Sequence, residues 1–452
     1  MTLRFGTDGL RGVANTELTP ELVLALGRAA ARVLGQKGSP FLIGRDTRLS
    51  GPMLEAALAA GMASEGVNVG LLGVLPTPGV AWLSAADGWP AAMISASHNP
   101  YADNGVKFFA PGGRKLSDET EKQLEAEVEA LGSPGLSGTQ VGRVAPCAGV
   151  ERYQDALVST LAHRRLDGLR VIVDCANGAA SEVAPAVLAR AGADVDAIHN
   201  RPDGININDG SGSTHPRALQ EAVVATGADA GLAFDGDADR VLAVDHAGEL
   251  VDGDQLMAIC AVDRRDRGLL VGDTVVVTVM TNLGFRLAMR DHAVSVVETA
   301  VGDRSVLEAL EQGGWTLGGE QSGHVVFRDL ATTGDGILTA LQVLDTVARS
   351  GRPLAELAAV MTRLPQVLRS VRVPARVADR DGLDHAEQLR AEVRAVEAEL
   401  GDRGRVLIRP SGTEPVVRVM VEAASAEQAD EAADRLCEAV AAALGRPSDS
   451  DH

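Results

Sequence analysis

Residues 93 to 109 read MISASHNPYADNGVKFF, an apolar run that ends in a turn crowded with Ser97, His98 and Asn99. Asn, Asp, Gly and Pro fill turns for backbone reasons alone, so the serine is the residue that needs a reason. It is a candidate nucleophile. Acyl transfer at a strand-to-helix elbow requires G-x-S-x-G, and no serine of this chain has that context.

A second stretch, GLAFDGDADRVLAV, alternates Asp235, Asp237 and Asp239 and then places Arg240. In an extended segment alternate side chains share a face, so the three carboxylates are expected to converge. At ~4 Å each pair would repel by several kcal/mol at an intermediate dielectric, and a bound divalent cation is the natural resolution. A solvated acidic turn is the plainer alternative. An EF-hand is excluded, because its sixth and twelfth positions counted from Asp235 fall on Arg240 and His246 rather than Gly and Glu. A phosphatase that uses Asp235 as nucleophile commonly needs a lysine further along, and all four lysines (Lys37, Lys107, Lys115, Lys122) precede it.

Two further polar loops complete the set. TLGGEQSGHVVF places Glu320, Ser322 and His324 at alternate positions, expected to point one way as a hydroxyl-reading group for a sugar. VLIRPSGTEPVVRV offers Arg409, Ser411, Gly412 and Thr413, a phosphate cradle in composition although the chain contains no Gly-Lys pair for a Walker motif.

The elements that must hold these loops alternate short apolar runs (FLIG, AAMIS, RVIVD, GLAF, VVVTVM, VSVVE) with helix-period segments, the pattern of βαβ units. LGSPGLSGTQVG at 131–142 is the strongest linker signal. The expected domains are 1–148, 149–250 and 251–365, each α/β, and a smaller α+β unit at 366–452. FDGDADRVLAVDHAGEL reads as a hairpin, DGILTALQVLDTVARSG as a helix with Gly351 as its C-cap, and Leu389, Val393, Val396 and Leu400 as one helical face. No sequence period announces a repeat.

The whole composition restricts function. At 452 residues the chain is long enough for three or four domains, and with 45% hydrophobic but only 3% aromatic residues, Ala, Val and Leu must pack the cores. A net charge of -20 disfavours nucleic acid and anionic membrane as partners, so an anionic substrate needs a local cationic pocket. Of the 42 basic side chains 42 − 4 = 38 are arginines, suited to bidentate phosphate contacts. Four cysteines without CxxC spacing, no signal peptide and no bilayer-length apolar run predict a reduced cytoplasmic protein.

Nucleophile, metal site, sugar reader and phosphate cradle, one per unit, are the parts of phosphoryl transfer on a sugar phosphate. The chain resembles the α-D-phosphohexomutase family through FGTDGLRG at 5–12, ISASHNP at 94–100, DGDADR at 235–240, GEQSGH at 319–324 and RPSGTEP at 409–415, in the family's order. The resemblance implies three similar α/β domains with mixed sheets and a smaller C-terminal domain around a central active-site cleft, in which Ser97 stands exposed and carries a phosphoryl group. It implies that Mg²⁺ is held by Ser97, Asp235, Asp237 and Asp239. It further implies catalytic roles for Ser97, Arg11, His98, Lys107, Arg240 and His324, and substrate contacts from Gly302, Asp303, Glu320, Ser322, Arg409, Ser411, Gly412 and Thr413. The implied reaction interconverts glucosamine 6-phosphate and glucosamine 1-phosphate through a 1,6-bisphosphate, supplying amino sugar for UDP-N-acetylglucosamine, in a protein that is phosphorylated at Ser97 and fit to form a homodimer. A mannose or glucose phosphate mutase, a Mg-dependent phosphatase and a non-catalytic sugar-phosphate sensor are the competing readings. Relatives commonly read GDRYV where this chain has Gly302-Asp303-Arg304-Ser305-Val306, and Cys where Ser211 stands.

Overall fold

The computed structural model describes residues 5–6, 9–36, 38–133, 136–374, 386–411 and 416–445. By internal contacts the chain forms two compact units, one of residues 1–280 with 292–360 and the other of residues 281–291 with 361–452.

The larger unit contains three sheets. The first has strands β1 (Leu10–Val13), β2 (Phe41–Arg45), β3 (Val69–Val74), β4 (Ala91–Ile94), β5 (Asp103–Ala110), β6 (Arg114–Lys115) and β7 (Val144–Pro146), in the order β1-β5-β4-β2-β3-β7 with β6 beside β5. The second has β8 (Arg170–Asp174), β9 (Asp194–Ile198), β10 (Ala230–Phe234), β11 (Val241–Asp245) and β12 (Leu250–Val251), ordered β12-β11-β10-β8-β9. The third has β13 (Thr274–Thr278), β14 (Ser295–Thr299), β15 (Leu317–Gly319) and β16 (Val325–Phe327), ordered β14-β13-β15-β16.

One plan recurs in all three. A central strand (β2, β8, β13) pairs in parallel with the next strand on one side and with the third (β4, β10, β15) on the other, and a fourth (β5, β11, β16) folds back antiparallel onto the third. The repeat invisible in the sequence is therefore present in the topology, because topology needs only the order of apolar runs and not their identity. In each unit the loop from third to fourth strand leaves the carboxyl edge of the parallel strands, where open α/β sheets bind ligands. These loops are residues 95–102, 235–240 and 320–324, the three polar stretches singled out in the sequence.

Local chemistry explains the elements. The strand Ala230–Phe234 is buried at every position, as a central parallel strand covered on both faces must be. The expected hairpin forms, with β10 and β11 antiparallel. The helix Gly336–Ser350 starts at Asp335, whose side chain caps Leu338 N–H, and stops at Gly351 with φ 66°. Cores of Val, Leu and Ala fill each layer, and the aromatic contribution is small.

The smaller unit carries an antiparallel sheet of β17 (Gln366–Arg372), β18 (Arg405–Pro410) and β19 (Val416–Glu422), ordered β17-β19-β18. Helices Glu387–Leu400 and Ala426–Leu444 share its core, with Leu389, Val396 and Leu400 buried and Val393 packed beside them as its period predicts. No described helix is long and apolar enough to cross a membrane.

Candidate functional site

Ser97 ends the short climb out of β4 with φ 51°, a left-handed conformation that a side chain adopts only when its surroundings hold it. The residue that does most of the holding, Arg48, lies outside the four polar loops. Arg48, fully buried, uses all five guanidinium N–H groups: Nε donates to Asp46 Oδ2 at 2.8 Å, Nη2 donates to the Ser97 and Asn99 carbonyls at 2.9 and 2.8 Å, and Nη1 donates to the carbonyls of Asp103, at 3.0 Å, and Pro100. Asp46 accepts from the Ser95 hydroxyl, which in turn accepts from Ser97 N–H. Asn208 of the second sheet's domain donates to the Ser97 carbonyl at 2.9 Å. A Cβ at Gly236 would lie 2.5 Å from that same carbonyl, so the acidic loop packs directly on the serine loop.

That packing corrects two expectations. Ser97 is 1% exposed rather than standing free, because its hydroxyl turns inward and donates to Asp235 Oδ2 at 2.7 Å. The three aspartates also converge for a different reason than strand alternation. Residues 235–240 form a tight turn with Ala238 at φ 57°, and Ala238 N–H donates to the Asp235 carbonyl. The turn gathers three carboxylates that are 1%, 0% and 8% exposed, which excludes the solvated acidic turn.

The electrostatics follow from this burial. Desolvation, with Asp239 and Asp237 adding to it, pushes the Asp235 carboxyl well above the usual range. Burial opposes ionisation of Asp237 too, but Lys107, Thr77 and Arg11 outweigh it and hold that carboxyl below its ordinary value. Lys107 Nζ donates to Asp237 Oδ2 at 2.9 Å and lies 4.0 Å from Asp239, and the Thr77 hydroxyl donates to Asp237 at 2.6 Å. His98 is held below its normal pKa by burial and by Arg240 and Arg11, and Arg240 Nη1 lies 3.3 Å from its Nδ1.

The donor set fits a hard divalent ion. Each aspartate offers an oxygen within 4.8 Å of the other two, and Oδ1 of Asp237 and of Asp239 are buried without a hydrogen-bond donor among the described residues. Orphaned carboxylate oxygens are what a cation would satisfy.

The third loop differs from its expectation. Residues 320–324 turn rather than extend, with Gly323 at φ 91°, so the three side chains do not share a face. Glu320 accepts from Gly302 N–H at 3.1 Å, Ser322 is exposed, and His324 is buried against Gly334 with its Nε2 3.8 Å from Asp303. Asp303 also pairs with Lys115, so Gly302, Asp303, Glu320 and His324 form one cluster.

In the smaller unit Arg409 is half-buried on β18, and Arg418 stands directly opposite it on β19. Burial and Arg418 both lower the Arg409 pKa, and like charges placed across a strand pair are unfavourable without an anion between them. Ser411 follows the strand, whereas Gly412 and Thr413 lie outside the described residues, as do Thr7 and Asp8 of the first motif. Asp46, Arg48, Thr77, Asn208 and Arg418 were missed in the sequence. For Asp46 and Arg48 the signal existed: like the acidic loop, FLIGRDTR puts charges immediately after an apolar strand.

Comparison with known proteins agrees with this geometry. Residues 2–134, 151–248, 252–364 and 373–439 match, respectively, domains I, II, III and the C-terminal domain of the phosphoglucomutase/phosphomannomutase family. A phosphoglucosamine mutase of Frankia alni is 56% identical, covering 99% of this chain and 100% of its own length, and one of Thermobifida fusca is 55% identical over 97% and 98%. The crystal structure of a phosphoglucomutase/phosphomannomutase family protein from Burkholderia thailandensis superposes with a TM-score of 0.80 at 25% identity, covering 97% of this chain and 98% of the other. With every domain matched in chain order and relatives identical at more than half their positions, the chain belongs to the phosphoglucomutase/phosphomannomutase family.

Proposed function

We propose that this chain is a phosphoglucosamine mutase, a cytoplasmic isomerase that interconverts glucosamine 6-phosphate and glucosamine 1-phosphate. The observation that carries the reading is the Ser97 hydroxyl, 2.7 Å from Asp235 at the edge of a buried carboxylate triad, in a chain 55–56% identical to phosphoglucosamine mutases over nearly its full length.

Phosphorylated Ser97 gives its phosphoryl group to O1 of glucosamine 6-phosphate. The O1–P bond forms as the Oγ–P and O1–H bonds break, the proton ending on Ser97 Oγ, leaving glucosamine 1,6-bisphosphate. After the bisphosphate reorients, Ser97 Oγ takes the phosphoryl group from O6, its own proton passes to O6, and glucosamine 1-phosphate leaves. Arg11, His98, Lys107 and Arg240 surround the transferring group, and the cationic members offset the charge that spreads over its oxygens, which is the main task in such chemistry. Mg²⁺, held by Asp235, Asp237, Asp239 and the phosphoserine, would supply the remaining charge neutralisation. The Arg48 clamp keeps the serine loop in one geometry through both half-reactions. Gly302, Asp303, Glu320 and Ser322 contact the sugar, His324 joins the catalytic groups, and Arg409, Ser411, Gly412 and Thr413 grip the phosphate that is not reacting.

Turnover of glucosamine, glucose and mannose 6-phosphates tests the reading. A mutase of this specificity gives isomer with no net phosphate release and its highest kcat/KM on glucosamine 6-phosphate. Phosphate release would make the protein a phosphatase, no turnover a sensor, and equal or greater efficiency on mannose 6-phosphate a neighbouring kind of mutase.

A further inference from the structure

Tyr153 is not in any of the polar loops, yet it is 1% exposed and its hydroxyl donates to Asp335 Oδ2 at 2.7 Å. It stands on the helix Val150–Ser159, between two other helices. The first is Thr77–Asp87: a Cβ at Gly79 would lie 2.9 Å from the Tyr153 ring, and Trp82 packs against the tyrosine with ring centroids 6.5 Å apart. The second is Gly336–Ser350, whose N-cap is Asp335 itself.

Both helices start on the acidic loop. Thr77 N–H donates to the Asp237 carbonyl at 3.0 Å while its hydroxyl binds the Asp237 carboxylate. Gly336 N–H donates at 3.1 Å to the carbonyl of Ala238, the left-handed residue between Asp237 and Asp239. Gly336 has no room for a side chain, since a Cβ there would lie 2.5 Å from the Arg240 carbonyl. Two helix N-termini, one from the first domain and one from the third, thus grip the turn that carries the carboxylates, and their dipoles favour negative charge there. Asp335 has one oxygen on Leu338 N–H and the other on Tyr153, so the tyrosine is the link that fixes one grip relative to the other.

We propose that Tyr153 and Asp335 are positioning residues for the divalent-cation loop: the tyrosine ties together the two helix starts that set the spacing of Asp237 and Asp239. The inference rests on the reading of Asp235, Asp237 and Asp239 as the cation site. Outer-shell partners of metal ligands commonly change metal affinity by about 10- to 100-fold when removed. Asp335→Asn keeps a cap oxygen for Leu338 and an amide N–H that donates to the tyrosine hydroxyl, so it preserves the link that Asp335→Ala removes.

The test titrates MgCl₂ calorimetrically into the unaltered full chain and into Tyr153→Phe, Asp335→Ala and Asp335→Asn, alongside thermal melting and steady-state kinetics. Tyr153→Phe and Asp335→Ala are expected to bind Mg²⁺ on the order of tenfold more weakly and to lose kcat with little change in the KM for glucosamine 6-phosphate. Asp335→Asn is expected to retain the affinity. Unaltered Mg²⁺ affinity in Tyr153→Phe would overturn the proposal even if its melting temperature fell, and so would equal loss in Asp335→Asn and Asp335→Ala. Should Asp335→Ala fail to fold, Tyr153→Phe decides the matter. Failure of the unaltered protein to bind Mg²⁺ would instead overturn the cation site, and this inference with it.

Discussion

Replacing Arg48 by lysine should separate fold from nucleophile more sharply than any change to Ser97 itself. The guanidinium makes five donations in a fully buried site, one to Asp46 and four to carbonyls of residues 97 to 103. An ammonium has three donors, so at least two of those acceptors lose their bond to Arg48. A hydrogen bond from a charged donor is worth about 1.5–3 kcal/mol, giving roughly 3–6 kcal/mol for two as an upper bound, because Asn208 still donates to the Ser97 and Asn99 carbonyls and Asp103 N–H to that of Pro100. Charge against Asp46 is preserved in Arg48→Lys, so the loss falls on the loop. Ser97 sits at φ 51°, a conformation that costs of order 1–3 kcal/mol and persists only while its surroundings over-determine it. Once the clamp loosens, the loop should relax and the hydroxyl should leave its place 2.7 Å from Asp235. Hydrogen exchange across residues 95–104 should quicken, and kcat should fall at least about tenfold while KM changes little, since the substrate contacts lie on other loops. Full kcat together with unchanged exchange in that segment would refute the idea that Arg48 holds the nucleophile.

Intact mass of the active protein should show one phosphoryl group that vanishes in Ser97→Ala and survives in Ser95→Ala; an active, unphosphorylated Ser97→Ala would end the phosphoserine mechanism. Chelation should abolish transfer and Mg²⁺ should restore it, and an Asp237→Asn protein with normal metal affinity and turnover would show the site to be misassigned. Arg409→Ala should chiefly raise KM, because losing a charged bidentate contact amounts to about 2–3 kcal/mol, or roughly a hundredfold in kcat/KM; an unchanged ratio would remove Arg409 from the phosphate grip.

The sequence by itself determined the class of fold and singled out the loops to which the chemistry is assigned. Ser97, the aspartates and Arg409 were legible because polar or charged residues crowded at the end of an apolar strand need no long-range information to be noticed. Alternating apolar runs and helical periods gave the α/β layers for the same reason: burial of a strand or a helix face is written locally, as at Ala230–Phe234 and Gly336–Ser350. What the tertiary structure decided is how those loops are held. Alternation suggested that Asp235, Asp237 and Asp239 share a strand face, but a left-handed Ala238 gathers them in a turn, and alternation failed outright for Glu320, Ser322 and His324. The threefold 2-1-3-4 strand order, which brings all three loops to equivalent carboxyl edges, leaves no period in the sequence because topology needs only the order of apolar runs and not their identity. Arg48 and Asn208 meet on the Ser97 carbonyl across 160 positions, and Tyr153 reaches Asp335 across 182. Such contacts depend on how separate elements pack, and no short motif can encode a distance between two segments that only folding brings together.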